Sequence, residues 1–138
     1  MENCVFCNII NKKLPGYIIY QNEWVTAFLD INPVSKGHVL IVPNKHVEKL
    51  HEIENTETAN ALISSLNTIA NQLIKAGLCT DYSIVQSNGK YAEQDINHIH
   101  FHIIPRHKND DVVFKLDTDK IAAHRDNLIQ VFNQLSRE

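Results

Sequence analysis

Cysteine, glycine and proline are all scarce in this chain, with three, four and four among 138 residues. Three thiols cannot build the paired framework that staples small secreted domains, so a reducing cytoplasm is the default compartment. With so little Gly and Pro there is no linker, low-complexity stretch or internal repeat, and a single domain over residues 1–138 is expected. Basic charge is short as well. Thirteen Lys and Arg against sixteen Asp and Glu leave a net charge of -3, which argues against nucleic acid or an anionic membrane as a general partner. The longest aliphatic run, Val39-Leu40-Ile41-Val42, is stopped by Pro43 and falls far below the roughly 20 residues of a membrane-spanning helix. Nor does Met1-Glu2-Asn3-Cys4 show the basic-then-apolar order of a secretory signal.

Against those shortages the apolar content is ordinary, 43% beside 21% charged residues, and a chain of this length can bury a core without staples. Val5 to Lys12 reads as a short helix ended by Pro15-Gly16. Tyr17 to Gln21 and Trp24 to Leu29 read as strands joined by a turn at Asn22-Glu23, and Val39 to Val42 as a third strand. Thr56 to Ala76 has the clearest helical period, with Leu62, Leu66, Ile69 and Leu73 on one face, Asn55 or Thr56 at its start and Gly77 at its end. Its apolar stripe is broad enough to pack on a sheet and also reach a partner subunit. Asp81 to Ser87 and His98 to Ile104 supply two more strands, and Asp119 to Leu135 a second helix with Ile121, Leu128, Phe132 and Leu135 on one face. About five strands, mostly hairpin-linked, with two main helices predict an α+β domain on an antiparallel sheet.

Histidine is the one excess. Of eight, three alternate with apolar residues in His98-Ile99-His100-Phe101-His102-Ile103-Ile104, so all three imidazoles share one face of a strand whose other wall enters the core. Imidazole suits metal binding, proton transfer and nucleophilic attack near neutral pH. This heptapeptide resembles the signature of the histidine triad (HIT) superfamily. The likeness extends to Phe28-Leu29-Asp30-Ile31-Asn32-Pro33, Lys36-Gly37-His38-Val39-Leu40-Ile41-Val42-Pro43, Lys45-His46, Cys4-Val5-Phe6-Cys7-Asn8-Ile9-Ile10 and Ile104-Pro105-Arg106, about residues 4–107 in all.

The resemblance implies a HIT fold, a homodimer in which the sheets of two protomers join, and a purine nucleotide as the small-molecule substrate. It implies His100 as the nucleophile at the α-phosphorus, forming a nucleotidyl-histidine intermediate that water resolves. His102 is placed to stabilise charge on the phosphate oxygens, and His38 resembles the family's fourth, orienting histidine. Asp30 is placed like the ribose-binding carboxylate, and Ile31 like a residue of the base pocket. Asn88 and Gln94 resemble phosphate-contacting positions, or serve only their loop. Arg106 either meets phosphate or is an exposed strand-end charge, His107 borders the pocket or is solvated, and His51 and His124 read as surface residues.

The chain departs from the family just before the triad, where many members carry a glycine, a glutamine and a small hydroxyl residue. Here Glu93-Gln94-Asp95 stands instead, and a carboxylate at Asp95 would repel phosphate unless protonated or turned away. That leaves phosphoramidates and dinucleoside polyphosphates both open as substrates.

Cys4-Val5-Phe6-Cys7 has metal-ligand spacing but supplies only two ligands, and three preceding residues leave no strand for a thioredoxin-like redox motif. The chain resembles the family branch, bacterial in type, that keeps both cysteines and holds zinc with them, the histidine at His46 and the first of the triad, His98. A closed Cys2His2 site would be structural. Cys79 reads as a small buried residue or one exposed by chance. Two alternatives stand beside the histidine nucleophile: a metal hydrolase with its ion on His98, His100 and His102, and a catalytically weak nucleotide-binding adaptor.

Overall fold

The computed structural model describes residues 3–136. Helix α1 (Val5–Ile10) is followed by strands β1 (Ile18–Gln21), β2 (Val25–Leu29) and β3 (Val39–Pro43), then helix α2 (Thr56–Lys75), β4 (Asp81–Gln86) and β5 (Phe101–Arg106). Every pairing is antiparallel, and the five strands lie in the order β1-β2-β3-β5-β4. The expected α+β architecture on an antiparallel sheet is therefore observed.

Side-chain alternation gives the sheet two different faces. Val25, Ala27, Val39, Ile41, Ile99, Phe101 and Ile103 point to one side and pack on Leu62, Leu66, Ile69 and Leu73 of α2, with Cys79 also buried there. Each fully buried Leu or Ile contributes roughly 1.5–3 kcal/mol to this layer. Phe28, Leu40 and Val42 point the other way and meet Cys4, Phe6, Cys7 and Ile10 at α1. The β3–β5 register sets Leu40 opposite His102, so the histidines lie on this second face.

Local chemistry fixes the ends of the elements. Asn55 accepts from the Glu57 amide at 2.8 Å to cap α2. At its other end the Leu78 amide reaches the Leu73 carbonyl and the Gly77 amide that of Ile74, with Gly77 at φ 74°, a Schellman closure. The β1–β2 turn extends one residue beyond expectation, to Trp24, because the Asn22 carboxamide accepts from both the Trp24 and Val25 amides, at 2.8 and 2.9 Å.

Three expectations need correction. Helix α1 ends at Ile10 rather than Lys12, which turns left-handed at φ 61°. Strand β5 starts at Phe101 rather than His98 and continues to Arg106, because the Ile99 amide donates to the Val47 carbonyl at 2.7 Å instead of a neighbouring strand. Residues 119–135 form no single helix. They divide into α3 (Ile121–Arg125) and α4 (Leu128–Leu135), with Ile121, Leu128, Ile129, Phe132 and Leu135 all exposed. Among the described residues only α2 is a long helix. No helix among the described residues is long and apolar enough to cross a membrane.

Candidate functional site

The row of imidazoles is wired by main-chain atoms. Val34 N–H, which can only donate, meets His38 Nδ1 at 3.2 Å, so that nitrogen is an acceptor and the ring carries its proton on Nε2. His38 Nε2 lies 2.9 Å from His102 Nδ1 and donates to it, leaving the His102 proton on Nε2. In His100 the order is reversed. Its Nδ1–H donates to the His98 carbonyl at 2.8 Å, so Nε2 keeps the lone pair. Gly37, at φ 92°, turns the chain into His38 and lies so close to Pro105 that a Cβ would come within 3.3 Å of its ring.

His100 and His102 line a cavity of about 380 Å3, a size that admits a small ligand. Phe6, Ile9, Leu14, Phe28, Leu40 and Ile96 form its apolar wall, and Asp30 and Asn32 a polar edge on either side of Ile31. Ile31 is 76% exposed, an apolar side chain left open at the mouth. One Asp30 oxygen accepts from the Asn32 amide at 2.9 Å, and the other lies 3.6 Å from His38 Nε2. Asp95 Oδ1 stands 3.2 Å from His100 Nε2.

Burial disfavours charge on His102 and His38. It pushes His102 down to about 4, helped by the neighbouring His100 and His38 and opposed by Asp30 and Asp95. Burial also lowers His38, with Asp30 opposing. At neutral pH His102 is therefore an uncharged ring with one N–H to donate.

Behind the histidine row is a second cluster. The α1 N-terminus folds so that the Cys7 amide donates to Cys4 Sγ, its cap, at 3.3 Å. Cys4 Sγ is 3.3 Å from His98 Nδ1, and Cys7 Sγ is 3.4 Å from His46 Nδ1 and 3.5 Å from His98 Nδ1. All four ligand atoms lie within 4.8 Å of one another. Zinc bonds of ordinary length in a tetrahedron would place sulfur and nitrogen roughly 3.6 Å apart, so the set fits such an ion. His98 Nε2 donates to the Pro43 carbonyl at 2.9 Å, which orients the ring and turns the Nδ1 lone pair to the sulfurs. Burial and the adjacent Cys4 raise Cys7 to about 11, and burial lowers His98 to about 4. Two cysteines and two histidines gathered this closely are a donor set suited to a shared cation.

The remaining residues divide clearly. Cys4, Cys7, His46 and His98 come together at one site, and Asp30, Ile31, His100 and His102 around the cavity, with His38 behind His102. Asn88 and Gln94 do not line that cavity. Asn88 Oδ1 accepts from the Leu50 amide, while Gln94 bonds the Gly89 amide and the carbonyls of Glu48 and Ile96, bracing the loop. Arg106 is taken by Asp110, Ser83 and the Val112 carbonyl, which fixes the segment after β5. His107, His51 and His124 are exposed, and Cys79 is buried in the core. Nor do the three triad imidazoles converge on one point. His98 turns to the thiols and His102 to His38, and among the described residues no ligand-like group of three or more includes His100.

Sequence reading missed Phe6, whose ring packs edge-on at 5.1 Å from His100 and 5.8 Å from His98. Its only signal was an aromatic residue between two cysteines. The Val34 amide and the His98 and Pro43 carbonyls escaped notice because every residue carries such groups.

Comparison with known proteins bears on the fold and the family. A family model described as the HIT domain matches residues 11–109. An uncharacterized HIT-like protein of Methanocaldococcus jannaschii is 46% identical over 112 residues, 81% of this chain and 85% of its own. An adenosine 5'-monophosphoramidase of Saccharomyces cerevisiae is 40% identical over 103 residues, 75% of this chain and 62% of its own. Among solved structures, a HIT family protein from Bacillus anthracis superposes with a TM-score of 0.87 at 29% identity, covering 99% of this chain and 96% of the other. A Zn-bound histidine triad family protein from Mycobacterium smegmatis gives 0.75 at 30% identity, covering 99% of each.

Proposed function

The chain belongs to the HIT domain family, and on that premise we propose that it hydrolyses purine nucleotide conjugates, phosphoramidates or dinucleoside polyphosphates, through a nucleotidyl group on His100. Relatives named adenosine 5'-monophosphoramidase support nucleotide hydrolysis in general. The observation that carries the finer reading is the His100 Nδ1–H held on the His98 carbonyl at 2.8 Å. It leaves the Nε2 lone pair for the α-phosphorus, and it stabilises the positive charge that the ring acquires when that bond forms. His102 donates its Nε2–H to a phosphate oxygen as negative charge gathers there. His38 is a positioning residue that holds the His102 tautomer. Asp30 accepts from the ribose hydroxyls, and the base lies against Ile31 and the apolar wall. Because Asn88 and Gln94 are spent on the loop, their part is to hold residues 88–94 in place beside the cavity.

Zinc held by Cys4, Cys7, His46 and His98 is part of this reading, supported by the tetrahedral spacing and the Zn-bound relative. With these four side chains as its ligands the ion would supply structural cross-linking, tying α1 to the residues before β5. A homodimer is supported by the apolar residues exposed along α4 and on the outer face of α2, where Ile63 and Ile74 are uncovered. The cytoplasm is the proposed compartment, where the three cysteines stay reduced.

The test is AMP release from adenosine 5'-phosphoramidate by the wild type and His100→Ala. Turnover in the wild type alone is expected, with nucleotide binding kept in the variant. Turnover by His100→Ala at the wild-type rate would refute the nucleophile.

A further inference from the structure

The geometry points to Gly16 as a specificity-determining residue, which acts through Ile9 to set the room left for the base. The inference rests on the nucleotidyl-transfer reading and deepens it. A glycine serves either a left-handed backbone or a shortage of space, and at residue 16 only the second applies. Gly37, Gly77 and Gly89 have positive φ, whereas Gly16 does not. A Cβ built on Gly16 would stand 2.7 Å from Ile9 Cγ2, about 1 Å inside ordinary carbon–carbon contact.

Neither partner can step aside freely. Ile9 is β-branched and lies within α1, where one χ1 rotamer dominates. The chain at Gly16 is tied on both sides. Before it the Lys13 and Leu14 amides donate to the Asn8 carbonyl at 2.8 and 3.1 Å, and after it the Tyr17 carbonyl accepts from the Leu29 amide at 3.1 Å. One side of Ile9 packs on the cluster of Phe6, Ile10 and Phe28, and the other lines the cavity. An added methyl therefore drives Ile9 towards the open side.

That side is where the base belongs. Gly16 leads into β1, which lies three strands from β5 in the sheet, so roughly 14 Å separates this end of the cavity from the strand that carries His102. The base is the part of a nucleotide most distant from its α-phosphorus. With phosphorus at His100, the base reaches the wall that Ile9, Leu14 and Gly16 share. A bare Cα at residue 16 keeps Ile9 back and leaves the length that a two-ring base needs.

The test compares kcat/KM for adenosine and uridine 5'-phosphoramidates in the wild type, Gly16→Ala, Ile9→Ala and the double variant, with the melting temperature of each. Gly16→Ala should slow the adenosine substrate roughly 10-fold, mostly through KM, the least that a misplaced methylene costs in an apolar pocket. Uridine, whose single ring reaches less far, should change by no more than about twofold. Without the Ile9 branches the nearest Ile9 atom to the new methyl is Cβ, at 3.7 Å, an ordinary contact. Adding Gly16→Ala to Ile9→Ala should then leave both rates within about twofold. An adenosine-to-uridine ratio unchanged in Gly16→Ala would overturn the proposal, whether or not the melting temperature falls. So would a penalty that persists in the Ile9→Ala background. If the wild type releases neither AMP nor UMP, nucleotidyl transfer itself fails and the role of Gly16 with it.

Discussion

Replacing His102 with Gln should flatten the stability of the protein against pH between about 4 and 6.5. Burial pushes the folded-state value of His102 from 6.5 down to about 4. In that window the unfolded chain binds a proton at this position and the folded chain does not. Stability must therefore rise with pH, and acidification from 6.5 towards 4 removes it. Above 6.5 neither state is protonated and the group contributes nothing to the slope; below about 4 both are, and the loss is complete. The depression of roughly 2.5 units corresponds to about 3 kcal/mol in full, of which about 2 kcal/mol is already lost at pH 5. Gln cannot titrate there, yet its carbonyl can accept the His38 Nε2–H. Urea titrations of both proteins at pH 8, 6.5, 5.5 and 5 measure the effect. The offset at pH 8 reports lost packing and cancels from the slope, as do the acid sensitivities of groups that do not interact with His102. Parallel curves for wild type and variant would refute the claim that His102 is held neutral by burial.

Prolonged chelation, or Cys7→Ser, should remove about one zinc per chain by elemental analysis and lower the melting temperature, with activity lost only as fast as the protein unfolds; instant, reversible loss without unfolding would mean a catalytic ion. Glu93 has a left-handed backbone, φ 67°, where a side chain is strained, so Glu93→Gly should stabilise the fold by about 0.5–1 kcal/mol in chemical denaturation, and a loss would show that the strain is absent. Changing Leu128 and Phe132 of α4 together to Ser should halve the sedimentation mass if that face joins two protomers; an unaltered mass would rule it out.

Where one side of an element is buried, its pattern was readable. Ile99, Phe101 and Ile103 enter the core against α2 while His98, His100 and His102 turn to the opposite face towards α1, and the α2 stripe packs on the sheet, because alternation and helical period show directly in residue type. The grouping of Cys4 and Cys7 with His46 and His98 was legible only through family likeness, since ligands 94 residues apart carry no local signal. The C-terminal residues misled for a related reason. Ile121, Leu128, Phe132 and Leu135 keep a helical period but are all exposed, and the turn at Asp126 and Asn127 breaks the helix. Arg106 has the charge for phosphate, yet Asp110 four residues on is a nearer partner than any ligand.

The hydrogen bonds that assign protons to the histidine row begin and end on peptide groups, the Val34 amide at one end and the His98 carbonyl at the other. A substitution can delete a ring, but none on the cavity wall can rewrite which nitrogen bears hydrogen. Leu14, Ile31 and Ile96 shape the cavity without setting where those protons lie. Descendants of such a fold can exchange those walls one residue at a time and so reshape the cavity, inheriting the same proton pattern unaltered.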